Sequence, residues 1–120
     1  MIDPQSISVS ASATLRQAME IIDRGAIGIA LLLDEAGRLQ RTVTDGDLRR
    51  QLLKGSTLDD QLATLEARRP ITLPEPASPR ECLETMTASG IDCIPVVDAD
   101  HRPRRLVTRS DVDARIFLST

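Results

Sequence analysis

Two short polar motifs in the sequence have the residue types and the spacing to bind a small ligand. Thr44 and Asp47 form one Thr-x-x-Asp motif after an apolar stretch, and Thr108 and Asp111 form another. Each pattern predicts a strand that runs directly into a helix, where free backbone N–H groups and the positive end of the helix dipole favour phosphate. A carboxylate one turn into that helix can accept hydrogen bonds from both hydroxyls of a ribose.

The same motif also has a purely structural interpretation. A threonine at the N-cap and an aspartate at N3 can satisfy each other's backbone N–H groups, which stabilises a helix by about 1 kcal/mol. Capping and ligand binding are compatible, because one hydroxyl can serve the helix and the ligand. The two interpretations therefore have to be separated by what surrounds the motif.

The motif is duplicated because the whole chain is duplicated, with an offset of 64 positions and no gap. An ungapped period of about half the chain predicts two copies of one structural unit. Two equivalent clefts would then face each other across a pseudo-twofold axis. Among the matching pairs are Ile7 and Ile71, Ala13 and Ala77, Glu20 and Glu84, Asp34 and Asp98, and Arg41 and Arg105.

Each copy has the pattern β-α-β-β-α, so the predicted fold class is α/β. A short strand precedes a capped helix, which begins at Thr14 in the first copy and at Ser78 in the second. A continuous apolar run then predicts a buried strand, and turn residues lead into the return strand of a hairpin. The predicted boundaries are 5–55 for the first repeat, 56–69 for a connecting segment with a helix over 57–68, and 70–118 for the second repeat.

Composition excludes several classes of function. A net charge of −3 and a single aromatic residue, Phe117, disfavour a nucleic-acid partner. The sequence has no apolar run of about 18 to 20 residues and no secretory signal, so a cytoplasmic protein is expected. Cys82, Cys93 and His101 are too few for a structural zinc site, and free thiols are expected. One histidine provides no Ser/His/Asp or Cys/His set, which predicts that the chain is not an enzyme.

Together these features resemble a pair of CBS domains, also called a Bateman module, over about residues 5–118. The residues that carry the resemblance are Val-Thr-Asp-Gly-Asp-Leu-Arg-Arg at 43–50, Gly-Ile-Asp-Cys-Ile-Pro-Val-Val-Asp at 90–98, and Leu-Val-Thr-Arg-Ser-Asp-Val at 106–112. The longer stretch 43–60 resembles the N-terminal CBS pairs of bacterial sugar-phosphate nucleotidyltransferases. Arabinose-5-phosphate isomerases carry a similar Thr-Asp-Gly-Asp-Leu-Arg-Arg stretch after a catalytic domain.

The resemblance implies a regulatory module that binds AMP, ADP, ATP or S-adenosylmethionine in clefts between the two repeats. Thr44 and Thr108 would contact phosphate, and Asp47 and Asp111 would bind ribose hydroxyls. The base would lie between the short first strand and the start of the central strand of each repeat. Those positions are Ser8, Ile27, Gly28 and Ile29 in the first repeat, and Thr72, Ile91, Asp92 and Cys93 in the second.

The resemblance also implies partners. The module would control an attached sugar-phosphate nucleotidyltransferase domain and would form a homodimer through helices with apolar residues at Leu52, Leu53, Ile116 and Phe117. One alternative is a structural dimerisation module with empty clefts, in which the Thr-x-x-Asp motifs act only as caps. Another is the CBS pair of an arabinose-5-phosphate isomerase.

The sequence departs from the family pattern at Arg41 and Arg105, where a glycine is usual. The simplest expectation is an exposed strand residue with its guanidinium group in solvent. The alternative is that the guanidinium contacts phosphate or blocks the cleft. Arg49 and Arg50 could also help to neutralise a phosphate, which would favour the first site for a charged ligand. The substitution Asp47→Asn is expected to weaken nucleotide binding while changing stability by less than about 1 kcal/mol.

Overall fold

The computed structural model describes residues 2–25 and 27–118, with side chains up to residue 113. The chain divides into two compact units. One is Pro4–Pro70, and the other begins at Ile71 and includes the N-terminal residues up to Asp3.

The first unit is a three-stranded sheet with two helices. Its elements are strand β1 (Ser8–Ser10), helix α1 (Leu15–Gly25), strand β2 (Ile29–Leu33), strand β3 (Leu39–Thr44) and helix α2 (Asp45–Leu53). Strand β2 is central, parallel to β1 and antiparallel to β3. The order β-α-β-β-α confirms the predicted plan for the first repeat.

The second unit repeats this plan in the same register. Its elements are strand β4 (Leu73–Pro74), helix α3 (Pro79–Ser89), strand β5 (Cys93–Val97), strand β6 (Pro103–Thr108) and helix α4 (Arg109–Leu118). Strand β5 is parallel to β4 and antiparallel to β6. Strands β5 and β6 and helix α3 each lie 64 residues after their counterparts, as the ungapped offset in the sequence predicts.

Local side-chain caps fix where the first helix of each unit begins. The Gln17 N–H donates to Thr14 Oγ1 at 3.1 Å, and the Thr14 N–H donates to Gln17 Oε1 at 2.8 Å. This is the predicted capping box. In the second unit Ser78 Oγ accepts a hydrogen bond from the Glu81 N–H at 3.1 Å, and Pro79 occupies the first turn.

Each unit buries a helix face against one face of its sheet. Among the residues whose side chains are described, the first core includes Val9, Leu15, Ala18, Ile22, Ala30, Leu32, Val43, Leu48 and Leu62, and the second includes Cys82, Met86, Ile94 and Val112. The helical spacing of the buried residues of α1 and the alternation along β3 determine which side chains face inward.

The two hairpin turns have the same aspartate hydrogen bonds, although three of their five residues differ. Asp34 Oδ1 accepts from the N–H groups of residues 36 and 38, and Asp98 Oδ1 accepts from those of residues 100 and 102, all at 2.9 Å. The residue three positions after the aspartate has a positive φ in both copies, 82° at Gly37 and 64° at His101. His101 is therefore a turn residue in a left-handed conformation that glycine adopts with less strain.

The predicted helix over 57–68 is wrong. The segment contains only a single 3-10 turn, Leu62–Thr64. Its backbone hydrogen-bonds to the start of the first unit: the Leu62 N–H donates to the Ala13 carbonyl at 2.8 Å, and the Leu15 N–H donates to the Asp60 carbonyl at 2.9 Å. These long-range hydrogen bonds outweigh the local preference for a helix, which is only a weak predictor by itself.

The residues expected to mediate dimer formation are described only in part. The Leu53 side chain is 80% exposed, whereas Leu52 packs partly against the first core. Ile116 and Phe117 lie outside the residues whose side chains are described. Homodimer formation therefore stays a prediction. Among the described residues, no helix is both long enough and apolar enough to cross a bilayer.

Leu62 tests whether the connecting segment is part of the first core. Its side chain is 1% exposed, so Leu62→Ala is expected to lower the free energy of unfolding by about 2–5 kcal/mol. Leu53→Ala is the matched control, with an expected change within about 0.5 kcal/mol. Urea unfolding followed by circular dichroism measures both. Equal effects would show that residues 57–70 are a detached linker.

Candidate functional site

The register of each hairpin brings the predicted base-contacting strand next to the motif threonine. Ile29 is the residue opposite Thr44, and Cys93 is the residue opposite Thr108. The start of the central strand and the start of the following helix therefore meet in both units. This is the strand–helix junction that the sequence predicts as a ligand site, and it is called here the first or the second junction.

The other predicted residues of the first junction have varied surroundings. Ser8 lies opposite Leu31 in the sheet, and its hydroxyl donates to the Pro4 carbonyl at 2.7 Å. Ile27 is half-buried, and Gly28 is exposed with a φ of 79°. Ser8 is therefore held by a local bond to the 3-10 turn that precedes β1.

In the second junction, Asp92 ties the start of β5 to helix α4. Its carbonyl accepts from the Arg109 N–H at 2.8 Å, and its Oδ1 accepts from Arg109 Nε at 3.1 Å. Thr72 and Ile91 are half-buried. Burial, together with the negative charge of the nearby Asp111 carboxylate, raises the pKa of the Cys93 thiol to about 12. The Cys93 thiol is therefore protonated and uncharged at neutral pH, and it does not act as a nucleophile.

Both Thr-x-x-Asp motifs form capping boxes. In the first, the Asp47 N–H donates to Thr44 Oγ1 at 3.1 Å, and the Thr44 N–H donates to Asp47 Oδ2 at 2.9 Å. In the second, the corresponding distances between Thr108 and Asp111 are 3.3 and 3.1 Å. The structural role of the motif is thus present in both copies, and any ligand role adds to it.

The two aspartates differ in what surrounds their carboxylates. The Asp47 side chain is 7% exposed and contacts three guanidinium groups. Arg41 Nη2 lies 3.0 Å from Oδ2, while Arg50 Nη2 and Arg68 Nη1 lie 2.9 and 3.5 Å from Oδ1. Asp111, in contrast, is exposed. The first carboxylate is therefore embedded among cations, and the second borders solvent.

These contacts set the protonation of Asp47. Burial raises the pKa of its carboxyl, but the hydrogen bond from the Thr44 N–H and the positive charge of Arg41 together outweigh burial. The pKa therefore lies below the ordinary value of 3.8. Asp47 is ionised at neutral pH, as the ion pair with Arg41 requires.

The expectation that Arg41 places its guanidinium in solvent is wrong. Arg41 shares a face of β3 with the buried Val43, as strand alternation requires, but its side chain is only 6% exposed. Besides the Asp47 carboxylate, its Nε donates to the Thr42 carbonyl at 3.0 Å and its Nη1 donates to the Glu66 carbonyl. These acceptors neutralise and satisfy the guanidinium, so it can stay buried.

Arg105, the counterpart of Arg41, is only half-buried. Its Nη2 donates to the Ala77 carbonyl at 3.3 Å. The same residue type at the same strand position therefore has different partners in the two units.

Lys54, Glu66 and Arg68 lie near Asp47, although the sequence analysis did not connect them with the site. Arg49 is exposed, and it is Arg50 that contacts Asp47. Arg68 and Glu66 come from the connecting segment, and Lys54 Nζ lies 3.2 Å from Glu66 Oε1. The signal in the sequence was the basic pair at 68 and 69 before Pro70, but Arg68 was placed at the end of the predicted helix and Arg69 was interpreted as its stop.

A comparison with protein-family models matches the CBS domain to residues 1–54 and to residues 63–117. The chain belongs to the CBS domain family. The two matched ranges are the two repeats, and each contains one capped junction.

The curated relatives include enzymes of sugar-phosphate metabolism. The chain is 35% identical over 94 residues to arabinose 5-phosphate isomerase KdsD of Pseudomonas aeruginosa, which covers 75% of this chain and 28% of that protein. It is 32% identical to the KdsD of Yersinia pestis, covering 78% of this chain and 29% of that protein. The chain thus spans less than a third of the length of these relatives. They do not confirm a nucleotidyltransferase as the parent enzyme.

Solved structures share the fold. Staphylococcus aureus OpuCA superimposes with a TM-score of 0.75 at 22% identity, covering 100% of this chain and 97% of that chain. A CBS domain pair in complex with 5'-methylthioadenosine and S-adenosyl-L-methionine has a TM-score of 0.76 at 22% identity, covering 95% and 90%. A CBS domain protein of Pyrobaculum aerophilum complexed with AMP has a TM-score of 0.75 at 20% identity, covering 92% and 85%.

The buried pair revises the expected effect of Asp47→Asn on stability. The substitution leaves the Arg41 guanidinium buried without its counterion, so the free energy of unfolding is expected to fall by about 3 kcal/mol. Asp111 is exposed, so Asp111→Asn is expected to cost about 1 kcal/mol or less, the size of a cap contact. The double variant Asp47→Asn/Arg41→Leu should be more stable than Asp47→Asn alone. Chemical denaturation measures all three, and equal losses for the two single variants would contradict the ion pair.

Acid should remove the contribution of Asp47. Because its pKa in the folded protein lies below 3.8, the carboxylate stabilises the fold above its unfolded pKa, and this contribution is lost as the pH falls through the folded value. The stability difference between wild type and Asp47→Asn should be constant above about pH 5 and should shrink below about pH 4. Unfolding titrations at fixed ionic strength measure it. A difference that stays constant to pH 3 would contradict the lowered pKa.

Proposed function

We propose that the chain is a regulatory module that binds an adenosine-type nucleotide, such as AMP, ADP, ATP or S-adenosylmethionine, at a strand–helix junction. The observation that carries the proposal is the register that places each motif threonine opposite the first residue of the central strand. Fold neighbours in complex with AMP and with S-adenosyl-L-methionine support this class of ligand.

The second junction is the better candidate for binding ribose. Asp111 is exposed, so binding a ribose at its carboxylate costs less desolvation than at the buried Asp47. The Thr108 hydroxyl can donate to a phosphate, and the positive end of the α4 dipole favours its negative charge. Ile91 and Cys93 offer an apolar surface for the base on the neighbouring strand.

The first junction is less suited to this role. A ribose at Asp47 would have to replace contacts with Arg50 or Arg68, while the buried Arg41 would still need the carboxylate as its counterion. Arg50 donates a charge-assisted hydrogen bond to this carboxylate at 2.9 Å, and such a bond is about twice as strong as a neutral one. We therefore propose that ribose recognition belongs to the second junction.

Thermal unfolding with a panel of nucleotides tests the proposal. At 100 times its dissociation constant, a ligand should stabilise the fold by about 2.7 kcal/mol. Asp111→Asn should abolish this shift. Asp113→Asn, which removes an equal charge from the same helix, should preserve it. A shift that survives in Asp111→Asn would move the site elsewhere.

The capping bonds of both motifs support a second candidate function, a structural dimerisation module with empty junctions. It predicts no stabilisation by any adenine, guanine or cytosine nucleotide. It also predicts a dimer in light scattering whether or not a nucleotide is present. The same experiments therefore decide between the two candidates.

We further propose that the module regulates a cytoplasmic sugar-phosphate enzyme to which it is attached. The relatives favour arabinose 5-phosphate isomerase as the parent. A sugar-phosphate nucleotidyltransferase is the alternative parent enzyme, because residues 43–60 resemble the N-terminal CBS pairs of that class of enzyme. Assays of the full-length protein for isomerisation of arabinose 5-phosphate and for nucleotidyl transfer decide between the two. An effect of nucleotide on the observed rate, lost in Asp111→Asn, would link the module to the catalytic domain.

A further inference from the structure

The connecting segment forms one wall of a groove in the first unit. Residues 62–63 and 65–70 line it on one side, and Ala11, Leu32, Gln40 and Arg41 line it on the other. Its volume is about 500 Å³, which lies within the range of about 300–1,000 Å³ that is typical of small-molecule sites. This feature is called here the linker groove.

The linker groove has an apolar floor and a basic wall. Leu32 and Leu62 are buried core residues, and Leu65 packs beside them. Arg41, Arg68 and Arg69 provide positive charge along the same groove. A ligand with an organic body and an anionic group matches this combination.

The basic wall continues into a smaller adjoining cavity of about 40 Å³. Four cationic side chains line this cavity, against two carboxylates; the cations are Arg41, Arg50, Lys54 and Arg68, and the carboxylates are Asp47 and Glu66. The local excess is therefore two positive charges, in a chain whose net charge is −3. A dianion would balance the excess.

Arg41 is held in position before any ligand arrives. Its side chain is 6% exposed, and its three acceptors are the Asp47 carboxylate and the carbonyls of Thr42 and Glu66. Those bonds use three of the five N–H donors of a guanidinium, and Arg41 lines both cavities. A donor that is already fixed adds to affinity without an ordering cost.

Arg68 can change partners more easily. Its Nη1 lies 3.5 Å from Asp47 Oδ1, the longest of the three contacts of that carboxylate, and its side chain is 62% exposed. An exposed ion pair at this distance contributes about 0–1 kcal/mol. A phosphate in the groove could therefore gain Arg68 at small cost to the fold.

We propose that the linker groove binds a phosphate monoester, with the phosphate beside Arg41 and Arg68 and the organic part on the apolar floor. A phosphate monoester carries about 1.5 to 2 negative charges at neutral pH, which matches the local excess. Within the groove itself, the cations Arg41, Arg68 and Arg69 are accompanied by one carboxylate, that of Glu66, so the excess there is also two positive charges. The site is separate from the second junction proposed for nucleotide ribose.

Phosphorus NMR titrations and calorimetry with glucose 6-phosphate, AMP and inorganic phosphate test the proposal. The wild-type chain should bind glucose 6-phosphate more tightly than inorganic phosphate, because the organic part contacts the floor. Arg68→Ala should weaken this binding at least fivefold. The exposed Arg24, at the end of α1, is the charge-matched control, and Arg24→Ala should weaken it less than twofold.

Each outcome decides a separate point. Equal losses in Arg68→Ala and Arg24→Ala would reduce the effect to general electrostatics and overturn the site, as would equal affinities for glucose 6-phosphate and inorganic phosphate. Arg69→Ala is a second variant with the same expected loss, should Arg68→Ala fold poorly. Asp111→Asn should leave glucose 6-phosphate binding unchanged; its loss there would assign the ligand to the second junction instead. AMP that competes with glucose 6-phosphate in Asp111→Asn would show that the groove recognises phosphate monoesters of either source.

Discussion

The buried ion pair between Arg41 and Asp47 is the constraint on which the first unit depends. Two opposite charges removed from water cost several kcal/mol per ion unless their remaining donors and acceptors are satisfied. The Thr44 N–H, the Thr42 carbonyl and the Glu66 carbonyl satisfy them here. Strand β3, the first turn of α2 and the connecting segment are therefore fixed together by one polar cluster.

The same sequence motif has consequently acquired two different environments. Both copies use threonine and aspartate to cap a helix, and both have an arginine at the same strand position. In the first copy the connecting segment provides a carbonyl acceptor for that arginine, and the aspartate is buried with it. In the second copy Arg105 contacts the Ala77 carbonyl, and Asp111 is exposed. The duplicated fold thus contains one motif carboxylate that is buried in an ion pair and one that is exposed.

Sequence reasoning predicted the parts of the fold that depend on local interactions. The capping box at Thr14 and the 64-residue period depend on neighbours within a few residues or on direct repetition, so the pattern alone indicates them. The environment of Arg41 could not be predicted, because its acceptor lies 25 residues away in the sequence. The connecting segment was misassigned for a similar reason. Its backbone partners belong to residues 11–16. The periodicity of helices and strands does not predict hydrogen bonds between segments so far apart in the sequence.

The arrangement of charges also indicates how ligands could influence the first unit. A ligand shifts a conformational equilibrium only by the difference in its affinity for the two states. Arg68 connects the Asp47 carboxylate with the linker groove, so an anion that binds Arg68 weakens its contact with Asp47. By reciprocity, anything that strengthens the contact between Asp47 and Arg68 weakens binding of the anion. Because Arg41 keeps Asp47 ionised and in place, this exchange can occur without loss of the cap on α2. The exposed Arg68 guanidinium beside the buried Arg41–Asp47 pair would therefore link occupancy of the groove to the contact between Asp47 and the connecting segment.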